Sequence, residues 1–231
     1  RPTLMVQKIH YAYPPYTGLP TKETNHVGDI RGVEGTKVTI GALASQKIKN
    51  AYVDFDADGT SDLQMKTDGD RAMITIPLEL REDRRTPVHP RYALRFTAED
   101  GRQNVEPPIY SIEVTPDYGP EVSITQPEAP EQVARLADVI PIGIEARDPD
   151  YGLKSVTIVG KVDDAEPQPL LEMINEPQTG RAVATKLFTP GDAGLKPGDV
   201  LEYWAVALDG RPEPNIGLSE HRRLKIIGPD K

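Results

Sequence analysis

The residues most able to do chemistry lie in one acidic stretch, Asp54-Phe55-Asp56-Ala57-Asp58-Gly59-Thr60-Ser61-Asp62. Its pattern, D-x-D-x-D-G-x-x-D, reproduces positions 1, 3, 5, 6 and 9 of a calcium loop. Asp54, Asp56, Asp58 and Asp62 are therefore the candidate metal ligands, and calcium is the cation that such carboxylate oxygens suit. Calcium takes about six to eight oxygens, and a carboxylate at the twelfth loop position ordinarily supplies two of them. That position is Met65, which supplies none. The flanking pattern offers another account. Val53 and Phe55 before the loop, with Leu63 and Met65 after it, read as the inward faces of a β-hairpin turned at Asp58-Gly59. The other aspartates then form its wet face. The hairpin is the favoured reading, and calcium stays open beside it.

Other constellations carry less. Asp148-Pro149-Asp150 and Glu99-Asp100 resemble pieces of cadherin repeats, in which acids of two domains share calcium. The linker Thr115 to Pro120 offers only Asp117, so turn formation ahead of Gly152 is the simpler expectation. The four histidines, His10, His26, His89 and His221, have no zinc spacing and are expected at loops or strand ends. No serine sits in a Gly-x-Ser-x-Gly elbow, and no glycine-rich phosphate loop is present. Trp204, the only tryptophan, could stack on a sugar, but its mid-strand position favours packing. The chain reads as a non-enzyme without a resident cofactor, calcium excepted.

Composition narrows the partners. The 27 basic residues are outnumbered by 36 acidic ones, a net charge of −9, which argues against nucleic acid. There is no cysteine, which excludes disulfides and thiolate metal sites. No apolar run approaches the ~18 residues of a membrane span. The start at Arg1 without an initiator Met suggests a segment of something longer.

What must position these residues is a repeat. Ile48 to Val53 matches Leu153 to Ile158, Arg71-Ala72 matches Arg181-Ala182, and Ala98 to Arg102 matches Ala207 to Arg211. The three matches keep their order at offsets of 105 to 110 residues, the mark of a duplicated domain. Strands are expected near 4–10, 36–43, 47–56, 62–67, 71–78, 91–99 and 108–115 in the first copy. The second copy offers 121–126, 138–146, 153–163, 168–174, 181–188, 199–208 and 219–227. Glu128 to Ala137 could make a short helix, tightly capped by Pro127 and Pro130. Seven short strands per copy predict an all-β protein of two tandem immunoglobulin-like β-sandwiches, of the broad fibronectin III or cadherin-like kind. The expected domains are 1–117, with a Pro/Tyr-rich opening, and 118–231.

That opening, Tyr11 to Pro20, is expected as an extended edge or polyproline-like segment lying on the first sandwich. Tyr13-Pro14-Pro15-Tyr16-Thr17-Gly18-Leu19-Pro20 is followed by Gly28-Asp29-Ile30 and Val33-Glu34-Gly35-Thr36-Lys37-Val38-Thr39-Ile40. This series resembles the start of Ig-like repeats in large, membrane-anchored bacterial envelope proteins of the DUF4175 type, common in planctomycetes. The likeness spans roughly the first forty residues. It implies a periplasmic or cell-surface location, other envelope proteins as partners, and a non-catalytic spacer or interaction role. A calcium- or carbohydrate-binding module is the alternative.

Overall fold

Residues 1–229 are described by a computed structural model, and they divide into two compact units with the boundary between Asp117 and Tyr118. The first contains β1 (Leu4–Ala12), β2 (Lys22–Asn25), β3 (Ile30–Val33), β4 (Lys37–Ala44) and β5 (Ile48–Phe55). It continues with β6 (Leu63–Gln64), β7 (Lys66–Asp68), β8 (Arg71–Pro77), β9 (Arg91–Ala98) and β10 (Ile109–Thr115). One sheet runs β2-β1-β4-β8-β7 and the other β3-β10-β9-β5-β6. Every pairing is antiparallel except β3 with β10.

The alternation of polar and apolar residues makes these elements. In β4, Val38, Ile40, Ala42 and Ala44 are buried while Lys37 and Leu43 are exposed. Each inward face meets the opposite sheet, and Ile9, Ile40, Leu78, Tyr92, Leu94 and Phe96 form the centre of that core. Burying each such side chain stabilises the sandwich by about 1.5–3 kcal/mol.

The second unit contains β11 (Glu121–Gln126), β12 (Glu131–Ala134), β13 (Ile140–Arg147), β14 (Leu153–Val162) and β15 (Gln168–Ile174). It ends with β16 (Arg181–Phe188), β17 (Val200–Asp209), β18 (Ile216–Leu218) and β19 (Arg222–Ile226). Its sheets are β11-β13-β16 and β12-β19-β17-β14-β15, with β18 beside β17. Again one pair, β12 with β19, is parallel. In both units a short early strand leaves the first sheet to run parallel to the last strand of the second. With two facing sheets and a shared core, each unit is an immunoglobulin-like β-sandwich.

Two expectations need correction. Glu128 to Ala137 forms no helix: residues 131–134 are extended, and Arg223 N donates to the Pro130 carbonyl at 2.8 Å. Pairing with β19 satisfies this backbone and buries Ala134, which an isolated two-turn helix could not do. The Tyr/Pro opening, expected as an extended edge or polyproline-like segment, is not one continuous extended piece either. Tyr11 and Ala12 are the last residues of β1, which is paired on both sides, and Pro15–Thr17 form one 3-10 turn ended by left-handed Gly18. The actual edge is the short β2.

The segment from Gly28 to Thr36 is held by specific contacts. Tyr92, fully buried, donates its hydroxyl to the Gly28 carbonyl, and burial raises its pKa. The Tyr110 ring lies so close that a Cβ at Gly28 would sit 2.3 Å from Cδ1. Asp29 Oδ1 accepts from Ser111 N at 2.8 Å, and Glu34 Oε1 accepts from Arg84 Nη2 at 2.6 Å. Gly28→Ala is therefore expected to destabilise by about 1–3 kcal/mol through overpacking, and Tyr92→Phe by about 1–3 kcal/mol by orphaning a buried carbonyl. Urea unfolding of both variants checks this; midpoints equal to the parent would refute it.

Candidate functional site

Asp54 is the anchor of the acidic loop. It lies near the end of β5 with no exposed surface, and so buried a polar group needs hydrogen-bond partners. Its Oδ1 accepts from Asp58 N at 3.1 Å, and its Oδ2 accepts from Gly59 N at 2.9 Å. The same Oδ2 accepts from Arg95 Nε at 2.7 Å. Arg95 comes from β9, where it sits opposite Tyr52, so its contact with Asp54 is a diagonal cross-strand pair.

The rest of the loop follows from that anchor. Residues 56, 57 and 59 take left-handed backbone, with φ of 65°, 55° and 90°. Asp58 Oδ1 accepts from Thr60 N at 2.9 Å, and this bond lowers the Asp58 pKa below the usual carboxylate value. Asp62 Oδ2 accepts from Phe55 N at 2.7 Å and closes the loop back onto β5.

Of the four sequence-predicted ligands, the fold brings three together. Carboxylate oxygens of Asp54, Asp58 and Asp62 lie within 4.8 Å of one another, and Asp56 stands outside the group. The hairpin exists, as β5 paired with β6, but its connection is residues 56–62 rather than a two-residue turn. Val53, Phe55 and Met65 face the core as expected, whereas Leu63 is 40% exposed. Met65 thus occupies the twelfth loop position with its side chain in the core.

As a cation site the arrangement is already partly filled. Asp54 Oδ2 has two donors and Oδ1 has one, while Arg95 supplies the positive charge a cation would bring. What remains for an ion is the outward oxygens of exposed Asp58 and Asp62 and one lone pair of Asp54.

The second acidic constellation is a loop clasp. Asp148 Oδ1 accepts from the backbone N–H of Asp150, Tyr151 and Gly152 at 3.0, 2.9 and 3.2 Å. Burial, with Asp150 beside it, raises the Asp148 pKa. The duplicated Ala-x-Asp-Gly-Arg stretches play one shared part. Asp100 accepts from Arg102 N at 3.0 Å and Asp209 from Arg211 N at 3.2 Å, each shaping the turn after its strand.

A cluster on the outer face of β17 escaped the sequence reading. Trp204, 9% exposed, stacks on His221 at 4.3 Å between ring centres and 8° between planes. His221 Nδ1 lies 2.7 Å from Glu202 Oε1, and this hydrogen bond holds the Glu202 carboxyl low. Alternation places Glu202 and Trp204 on one face, but nothing in the sequence brings His221 to them. His221 occupies one face of the tryptophan ring, so packing accounts for Trp204. His10, expected at a loop or strand end, instead lies within β1, its Nδ1 3.4 Å from Glu23 Oε1.

No family model matches the chain, and no curated protein matches it. Among solved structures it is similar to the human OSCAR ligand-binding domain, at 14% identity and a TM-score of 0.31, covering 95% of this chain and 96% of that one. A marsupial T cell receptor is similar at 9% identity and a TM-score of 0.39, covering 100% of this chain and 74% of that one. Titin Ig tandem domains are similar at 12% identity and a TM-score of 0.27, covering 88% and 93%. Such distant likenesses say nothing of function; the strand order above defines the fold.

Two outcomes follow. Asp54→Ala removes the acceptor for three donors and is expected to cost about 3 kcal/mol, in the range for breaking one side of a buried pair. Urea unfolding reads it, and a loss below about 1 kcal/mol would contradict the anchoring role. Asp148 gives a second test, through pH. Because its folded pKa is raised, its ionisation costs stability, and that cost appears as pH rises through the folded value. Asp148→Asn keeps the Oδ1 acceptor without the charge, so its stability relative to the parent should rise between about pH 4 and about pH 7. A relative fall over that range would show the carboxylate to be favoured instead.

Proposed function

We propose that this chain is a non-catalytic structural and protein-interaction module, a tandem Ig-like spacer within a larger cell-envelope protein. The observation that carries this reading is the state of Asp54. The most chemically suggestive carboxylate in the chain is wholly buried and engaged by two backbone N–H groups and Arg95, so it organises a loop. A catalytic carboxylate needs access to its substrate, and this one has none.

The setting rests on the resemblance of the first forty residues to envelope proteins of the DUF4175 type. Under it, the segment lies in the periplasm or at the cell surface as part of a membrane-anchored protein, with other envelope proteins as partners. The structure adds a reason for the motif residues: Gly28, Asp29, Glu34 and Gly35 each serve a contact that closes the first sandwich. No helix among the described residues is long and apolar enough to cross a membrane, so any such anchor would lie elsewhere in the protein.

A calcium-dependent module remains the alternative, favoured by one observation, the convergence of Asp54, Asp58 and Asp62. Arg95 weighs against it.

Fractionating the source cells and probing with an antibody raised against this chain tests the setting. The expected result is recovery of the protein with the envelope membranes. Recovery in the cytosolic fraction would overturn the spacer reading.

A further inference from the structure

One sheet edge in the second unit is built unlike the others. β16 ends the sheet β11-β13-β16, so one of its two sides has no strand beside it among the described residues. Its eight residues pair with β13 without interruption, from Arg181 opposite Arg147 to Phe188 opposite Ile140. An edge this regular presents an outward row of N–H and C=O groups at alternate residues. Val183 and Leu187, 60% and 66% exposed, flank that row on the solvent face.

Other edges are blunted in ways that natural sheets commonly use. β2, β3 and β12 have four residues each, β7 three and β6 two. β11 carries a register shift between Ile124 and Gln126. β15 contains Pro169 and shifts register twice against β14. β16 has none of these devices, and its only charged residues are Arg181 and Lys186.

The first unit shows what such an edge accepts. Arg71-Ala72 in β8 matches Arg181-Ala182 in β16, which makes the two strands counterparts in the repeat. On β8 lies β7, antiparallel, with Lys66 opposite Met73, Thr67 opposite Ala72 and Asp68 opposite Arg71. In the second unit the preceding chain stays in the other sheet as the longer β15, and Gln178 bridges to Leu153 on the way back. The place that β7 fills in one unit has no strand in the other among the described residues.

We propose that the outer edge of β16 receives an extended acidic segment of another polypeptide as an added antiparallel strand. This deepens the interaction reading above and rests on it. Charge selects the occupant. β16 carries Arg181 and Lys186 and no acid; Arg181 is already held by Glu145 at 2.7 and 2.8 Å, and Lys186 is exposed with no ion pair among the described residues. An incoming strand with apolar residues at every second position would lay them beside Val183 and Leu187. Its intervening acids would fall on the side of Lys186. A second copy offering its own β16 would bring two more cations and no acid, so it is the poorer fit.

The test uses the whole chain and three blocked octapeptides: alternating valine and glutamate, alternating valine and lysine, and the first with every backbone nitrogen methylated. Fluorescence anisotropy measures binding, and amide hydrogen exchange maps it. The valine–glutamate peptide is expected to bind and to slow exchange within β16 alone. Methylation should weaken it at least tenfold, because the side chains persist while the donated hydrogen bonds vanish. Lys186→Glu, with an unchanged melting temperature, should transfer preference to the lysine peptide. The proposal is overturned by no binding of any peptide at millimolar concentration, or by protection outside β16. It is equally overturned if methylation has no effect, or if β16 becomes protected merely by concentrating the chain, which would make a second copy the occupant. None of these outcomes bears on where the protein resides in the cell, so this proposal and the spacer reading can fail separately.

Discussion

One-sided burial is the constraint on which everything else here depends. A thin sandwich has a single apolar layer, so each strand can hide only alternate residues and must leave the others to water or to a covering loop. In β5 that rule puts Val53 and Phe55 into the core and turns Asp54 the other way, where burial is available only under its own loop. In β17 it turns Leu201, Tyr203, Ala205 and Ala207 inward and leaves Trp204 to be covered by His221. Burial raises the Tyr203 pKa to about 12, as expected for a phenol within that layer.

The acidic loop shows how such a residue is accommodated. Removing a carboxylate from water is costly, and the compensation must come from charge and donors close at hand. Arg95 and the N–H groups of Asp58 and Gly59 supply both. The left-handed residues at 56, 57 and 59 are the conformational consequence, since the loop must fold back to aim those N–H groups at the carboxylate. A sequence pattern shared with calcium loops thus has a source that needs no ion: both solve the problem of surrounding carboxylates with a tight, glycine-containing turn.

Much of the architecture was legible because alternation reports burial directly. The long strands β4, β5, β8, β9, β13, β14, β16 and β17 fall within a residue or two of expectation. The short β2, β3, β12 and β18 were missed, since three or four residues cannot display a period and their pairing is decided by distant strands. At the candidate site the aspartates were legible and their partner was not. Arg95 lies 41 residues from Asp54, and only the register of β5 on β9 makes them neighbours. His221 meets Trp204 for the same kind of reason. Spacing reveals groups that are close along the chain, whereas charge compensation is a property of the assembled sheet.

The central claim is that Arg95 and the loop backbone complete the Asp54 site without a cation. Thermal unfolding of the intact chain in 10 mM calcium, against the same buffer with a chelator, addresses it most directly, since a ligand of the native state alone stabilises it by RT ln(1 + [L]/Kd). An extracellular-type calcium site, with Kd of roughly 0.1–1 mM, would gain about 1.4–2.7 kcal/mol under these conditions. The account predicts coincident melting curves. A saturable rise of several degrees with calcium, abolished by Asp58→Asn, would contradict it and make this loop a metal site.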